Sequence, residues 1–293
     1  MKTKYFGKLA VIVYILIFSG ICSSVYAQKK TEVASAKAGV KLEYKYPEGK
    51  KFKYISDSKI VQDMDVNGQS MLVNVAMYMV SQVKATGKAG ENLKLEITVD
   101  SMAQNIESPQ GSTGGPIVDV KGKAFNMIIS PAGKAVDLTE AAKVVYTIEG
   151  SGENNLTQAF LNFFPALPAG AVNPGDTWVT SDTISSTSPT NKMWMPVEST
   201  YKYEGTETID GIDCAKISAT LSGTRKMVTK SQGMEIHTSG PYTGTQIVLL
   251  SLKEGVLLKE TVTNKMTGTI EIPDQNMSFP VVMNVTGTTE VVK

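Results

Sequence analysis

From Val40 to Tyr46 every even position is apolar or aromatic and every odd position is charged. A side-chain period of two belongs to a strand with one buried and one wet face. Pro47-Glu48-Gly49-Lys50 turns the chain, and Lys51-Phe52-Lys53-Tyr54 resumes the alternation. Leu93, Leu95, Ile97 and Val99 repeat it, interleaved with Lys94, Glu96, Thr98 and Asp100. This pattern predicts an antiparallel sheet solvated on one side. One stretch departs from it. Met71, Val73, Val75, Met77 and Met79 share one face, but Leu72, Ala76, Tyr78 and Val80 make the other face apolar too. Such a strand is expected to be covered on both sides.

The middle of the chain reads differently. Asp137-Leu138-Thr139-Glu140 has the form of an acidic cap, and Leu138, Ala141, Ala142 and Val145 follow at helical spacing. Leu156, Ala159, Phe160 and Phe163 predict a second helix over 154–164, stopped at Pro165. The passage 165–178 is rigid and rich in proline, and its Pro174-Gly175 turn leads into a strand with Trp178. Alternation then returns. Asp210-Gly211 predicts a hairpin, Lys253-Glu254-Gly255 reverses a second run, and 273–276 joins the last two strands. Pro280 points to an edge or bulge in the final strand. The Gly/Ser/Pro-rich stretch 108–116 reads as a loop that could serve as a contact surface.

Residues 63–68 carry the front half of a calcium loop, Asp63-x-Asp65-x-Asn67-Gly68. A helix–loop–helix calcium site also needs a bidentate Glu at loop position 12, which here is Asn74. Asn-Gly between alternating strands is instead a strong hairpin signal, since both residues tolerate positive φ. The stretch is read as a corner, and no metal site is expected.

Compartment and composition narrow the chemistry. Lys2, Lys4 and Lys8 precede ten uninterrupted apolar residues from Leu9 to Phe18, and Val25-Tyr26-Ala27 offers a cleavage site before Gln28. That is the pattern of a secretory signal peptide, with an apolar run too short to span a membrane. Bulky Ile21 argues against a lipid anchor on Cys22. Residues 28–39 read as a loose N-terminus. Without the three leader lysines, the 29 basic residues fall to 26 against 28 acidic ones, a net charge of −2 with no block of either sign. Nucleic acid is therefore not an expected partner. Arginine occurs once, at Arg225. Cys214 is the one cysteine beyond the leader, so disulfides are excluded, and it is read as a small buried hydrophobe. His237 is the only histidine, there is no G-x-S-x-G elbow, and no Gly-rich phosphate loop precedes a helix. The chain is expected not to be an enzyme and to need no cofactor.

Four stretches resemble a family of uncharacterised secreted β-rich proteins of Gram-negative bacteria, a domain-of-unknown-function family. They are YKYPEGKKFKY near the start, FPALPAGAVNPGDTW in the middle, YKYEGTETIDGIDCAKI after it and SLKEGVLLKETVTNKMTGTIEI near the end. The resemblance implies export and a mostly β fold, and it brings no catalytic or ligand residues.

The expected architecture is mainly β: a twisted antiparallel sheet or incomplete barrel or sandwich with one or two short central helices. After a signal peptide (1–27) and flexible N-terminus (28–39), residues 40–293 are read as one domain. The alternative is two subdomains, 40–130 and 176–293, joined by a helical connector 131–175. Methionine-rich faces repack around irregular guests. Met71, Met77, Met79, Phe160 and Phe163 are the candidate ligand-binding residues for an apolar or lipid-like molecule, with helix 154–164 as lid or plug. The competing reading makes these residues ordinary core. A third makes the protein a periplasmic or extracellular cell-envelope component that binds a protein or glycan.

Overall fold

The computed structural model describes Ala27–Gln28 and residues 39–292, apart from 67, 149–151, 188–190 and 232. Residues 1–26 of the predicted signal peptide, with Cys22, and residues 29–38 of the predicted flexible N-terminus lie outside the described residues. The strands are β1 (Ala27–Gln28), β2 (Val40–Lys41), β3 (Lys51–Val66), β4 (Gln69–Ala89), β5 (Asn92–Ser108) and β6 (Gly111–Pro116). Then come β7 (Lys123–Ile129), β8 (Ala135–Asp137), β9 (Val145–Ile148), β10 (Gly152–Asn155), helix α1 (Thr157–Leu161) and β11 (Ala171–Val172). The chain continues through β12 (Thr177–Thr187), β13 (Asn191–Ile209), β14 (Ile212–Ser231), β15 (Met234–Ser251), β16 (Leu257–Ile272) and β17 (Met277–Val292).

Thirteen of these strands form one antiparallel sheet in the order β1-β12-β13-β14-β15-β16-β17-β3-β4-β5-β7-β8, with β6 on β5. The last long strand pairs with the first: Val281 to Val292 of β17 run against Met64 to Lys53 of β3. The sheet is not closed into a barrel, but it curls. Lys134, just before β8, acts electrostatically on Asp182 of β12 near the opposite edge. Alternation works as predicted on β3, where Phe52, Tyr54, Ile60 and Met64 are buried and the intervening residues are mostly exposed. On β5 the buried positions switch from odd (Leu93, Leu95, Ile97, Val99) to even (Met102, Gln104, Ile106). The cause is a bulge at Asp100: Val80 pairs with Ser101, while Ser81 pairs with Val99. One extra residue returns the apolar set to the inner face.

The hairpins give the sheet two unlike ends. At one end lie the tips between β3 and β4, β5 and β6, β12 and β13, β14 and β15, and β16 and β17. Val66 pairs with Gln69 and Gly68 has φ +79°, so the calcium-like stretch is the two-residue corner expected of it. Its Asp65 Oδ1 accepts the Gly68 amide. At the opposite end lie the turns β4–β5, β13–β14 and β15–β16. Asp210 and Gly211 there both have positive φ, as a type I′ turn needs.

The second end is plugged from inside, and here several expectations fail. The predicted helix at 138–145 is a single 3-10 turn, Ala141–Lys143. Glu140 does not cap it, because its Oε2 accepts hydrogen bonds from the Asn126 amide and side chain on β7. Val145 enters a β9–β10 hairpin instead. The helix at 154–164 shrinks to Thr157–Leu161. Residue 164 precedes a proline and is steered to extended backbone. Leaving the helix lets adjacent Phe163 and Phe164 bury in different directions, one against Tyr54 and the other against Tyr44 and Tyr46. In 42–46 the alternation is right but the ladder is missing. Leu42, Tyr44 and Tyr46 are buried, and the backbone is held by Tyr44 N–H to Pro131 O and Lys45 N–H to Gly255 O. The stretch 108–116 is no loop, since Gly111–Pro116 pairs with β5. On β4, Leu72 is 44% and Tyr78 38% exposed, so the predicted second cover is absent. The outer face of the sheet there is solvent.

Candidate functional site

The inner face carries two clusters. The larger fills the plugged end and is aromatic: Tyr44, Tyr46, Phe52, Tyr54, Phe125, Tyr146, Phe160, Phe163, Phe164, Tyr201 and Tyr203 all belong to it. Its rings meet edge to face or stacked at centroid distances near 5 Å, such as Phe160–Phe163 at 5.3 Å and Phe125–Phe160 at 5.1 Å. The hydroxyls of Tyr44, Tyr46 and Tyr54 are paired. Tyr54 donates to the Leu257 carbonyl at 2.7 Å, the Tyr46 and Tyr54 hydroxyls lie 2.5 Å apart, and Tyr44 donates to Pro165 O at 2.9 Å. Burial pushes the Tyr46 and Tyr54 phenols above the usual tyrosine range, so they stay neutral.

The second cluster sits at the end of the five hairpin tips. Met64, Met71, Met193, Met195, Met227, Met266 and Met283 are in it, and half-buried Met77, Met234 and Met277 pack against it. Among the described residues its buried rings are Tyr242 and Phe279. Nine of the thirteen methionines beyond Met1 thus gather at one end, and Met77 packs on both clusters.

Between the clusters the inner face turns polar. Register places Gln104, Met77, Ser58, Gly287, Val262, Gln246, Ala219 and Tyr201 in one row across the sheet. Gln104 is 2% exposed, yet neither atom of its amide has a protein partner, and the Ser58 hydroxyl has none either. Gln246 donates to buried Glu260 at 2.5 Å. Toward the tips follow Gln62, whose Nε2 lies 3.1 Å from Met64 Sδ, and Arg225. Arg225 is 6% exposed, with Nη1 3.4 Å from Met283 Sδ and Nη2 3.5 Å from Met227 Sδ.

A groove of about 370 Å³ opens at the rim of this end, lined by Asp65, Val66, Gly68 and residues 276–280. Its origin is Pro280. The β17 ladder to β16 continues past it to Met277, whereas the ladder to β3 stops at Val281–Met64. A residue without an N–H does not sustain a ladder on both sides, so β3 and β17 part there. Val66, Met277 and Phe279 line the groove and also belong to or pack on the methionine cluster.

The five sequence candidates are divided between these regions. Met79, Phe160 and Phe163 lie in the aromatic cluster, Met71 lies in the methionine cluster, and Met77 touches both. Residues 157–161 with Phe163 and Phe164 fill the aromatic end as packed core. Gln62, Gln104 and Arg225 were missed. Arg225 had a signal, because it shares odd parity with Ile217, Ala219, Leu221 and Met227, the buried face of β14. The remaining reactive groups are placed without a site. Cys214 is a free buried thiol donating to Ile212 O, its pKa pushed up by burial. His237 Nε2 meets Glu235 Oε1 at 2.6 Å, with both side chains more than a third exposed. Among the described residues no three His, Cys, Asp or Glu side chains gather to hold a metal ion. No described helix is long and apolar enough to cross a membrane.

No family model and no curated protein matches the chain. Among solved structures it is similar to DynF from the dynemicin biosynthesis pathway of Micromonospora chersina, at 7% identity and TM-score 0.28 over 92% of this chain and 96% of that one. It is also similar to Pseudomonas aeruginosa OccK2, at 4% identity and TM-score 0.27 over 85% and 100% of the two chains. A Bacteroides fragilis protein with a YmcC-like fold, described as exported, gives 8% identity and TM-score 0.25 over 86% and 97%. TM-scores at this level do not establish a common fold, and no ligand or activity passes from these proteins to this chain.

Proposed function

We propose that the protein is an exported, non-enzymatic binding protein for an apolar, lipid-like molecule, which it takes up at the methionine end. The observation that supports this reading is the rim groove, whose floor residues Met277 and Phe279 continue into a cluster built largely of methionine. Unbranched, polarisable side chains re-pack around a guest at small cost, whereas interlocked rings do not. The groove lies within the size range of ligand sites, about 300–1,000 Å³. Native mass spectrometry of the mature protein purified from its own envelope fraction tests the reading. A stoichiometric apolar adduct that disappears on denaturation is the expected result. A clean apo mass, unchanged after incubation with envelope lipids, would sink it.

A second reading, an envelope component that binds a glycan or protein, draws on one feature. Trp194 is 46% exposed on the outer face, with the Lys226 ammonium 5.7 Å from its ring centroid. Exposed tryptophans beside cations are common contact points. Glycan-array binding abolished by Trp194→Ala, together with the clean apo mass, would favour this reading over the first.

A further inference from the structure

We infer that the free edge of β12 is a pairing surface for a second copy of this chain, the two β12 strands running antiparallel about Ser185. The two edges of the sheet are built differently. At the far edge β8 is three residues long, and the β7–β8 ladder shifts between Ile128 and Ile129. The Asn126 amide of β7 is taken there by the Glu140 carboxylate. A short strand, a bulge and a charged side chain over the backbone are devices against edge-to-edge pairing. β12 lacks them. It has eleven residues and an unbroken register with β13, with no Lys, Arg or Pro from Thr177 to Thr187. Among the described residues β1 pairs with its outer side at Thr180 and Ser181 alone. Asp182, its one charge, lies next to that covered end, and Thr183–Thr187 beyond it carries none.

Two observations fix the direction of its backbone groups. Thr183 stands opposite Pro196, which has no N–H to donate, and the Thr183 N–H is accepted by Asp182 Oδ1. Thr183 therefore turns its N–H and C=O away from β13, and alternation turns those of Ser185 and Thr187 the same way. With a two-fold axis at Ser185, each Ser185 faces its own copy and each Thr183 faces Thr187. Ser185 and Thr187 of both copies then donate across the ladder. Charge permits this register. Asp182 falls three residues from the axis, at opposite ends of the ladder, so the two carboxylates do not meet. The nearly balanced charge of the chain also raises little repulsion between copies. On the outer face Trp194, 46% exposed, is the cross-strand neighbour of Ser185, so one indole from each copy flanks the axis.

Analytical ultracentrifugation of the mature protein across the micromolar range tests this, with S185K and S185E as variants. Ser185 is exposed, so neither charge is buried in the fold. The unmutated protein is expected to pass from monomer to dimer as concentration rises. Each variant places like charges face to face at the axis and should weaken the dimer about fivefold. An equimolar mixture of the two should restore it, because Lys then meets Glu. A monomer at every concentration overturns the inference and leaves the edge to a strand from another protein. Dimers that persist undiminished in S185K and S185E, or that the mixture of folded variants fails to restore, overturn the pairing at Ser185. Circular dichroism checks that the variants fold. Should they not, hydrogen exchange of the unmutated protein decides: Ser185 and Thr187 amides should gain protection with concentration, and exchange that is the same at all concentrations overturns the inference.

Discussion

The two ends of this sheet are built from the same strands and solve the problem of a concave inner face in opposite ways. At the plugged end, β9–β11 with α1 and residues 42–46 fold into the concavity, and eleven Tyr and Phe rings pack together, with the Tyr44, Tyr46 and Tyr54 hydroxyls paired. At the tip end no connector enters among the described residues. The strands close over their own methionines, and the polar groups among them include several without protein partners. Interlocked rings specify one packing, and flexible thioethers tolerate many. The same sheet therefore carries a rigid half and an adaptable half, and the adaptable half is the one with the groove.

The largest test of this contrast is truncation. Phe160→Ala removes a fully buried ring that packs on Phe125 and Phe163, and should cost about 3–5 kcal/mol in urea unfolding. Met266→Leu at the other end should cost less than about 1.5 kcal/mol, since the swap conserves volume in a forgiving site. Equal costs would erase the distinction. Tyr54→Phe comes next. It leaves the Leu257 carbonyl and the Tyr46 hydroxyl short of a partner, and a loss of about 1–3 kcal/mol is expected in the same assay. Pro280→Thr works in the opposite direction. It restores an N–H and should extend the β17–β3 ladder by a pair, gaining about 0.5–1 kcal/mol while the groove narrows and ligand uptake slows. Hydrogen exchange at position 280 would report the new bond, and an unprotected amide there would refute the stated origin of the groove.

The smallest expected effect is electrostatic. Burial raises the Asp182 pKa, partly countered by the Thr183 amide and Lys134. The folded state then holds its proton to higher pH than the unfolded chain, so stability falls as pH rises from the unfolded to the folded pKa. Asp182→Asn should raise the melting temperature slightly at neutral pH, and the gain should vanish below the ordinary aspartate pKa. A gain that persists in acid would point to packing instead.

Legibility in the sequence follows the same division. Strand alternation, the 63–68 corner and the Asp210-Gly211 hairpin are local, and each was readable from period or turn chemistry. The plug was not. Leu138 to Val145 has a helical pattern, but Glu140 is claimed by Asn126 on β7 and Val145 by β10, and no local signal reveals either partner. The methionine stripe of β4 was visible, but which of its members belongs to which end depends on where the waist of Gln104, Ser58 and Gln246 falls across six strands. Arg225 was counted for its rarity and not placed by its parity, although the parity was there.

The claim at the centre of the account is that guests enter the methionine half and leave the aromatic half untouched. Methyl-labelled methionine NMR of the mature protein, titrated with hexadecanoic acid, tests it residue by residue. The account predicts shifts for Met64, Met71, Met227, Met266 and Met283, with the signals of Met79, Met102 and Met127 unmoved. Shifts concentrated on Met79, Met102 and Met127, or none at saturating acid, would contradict it.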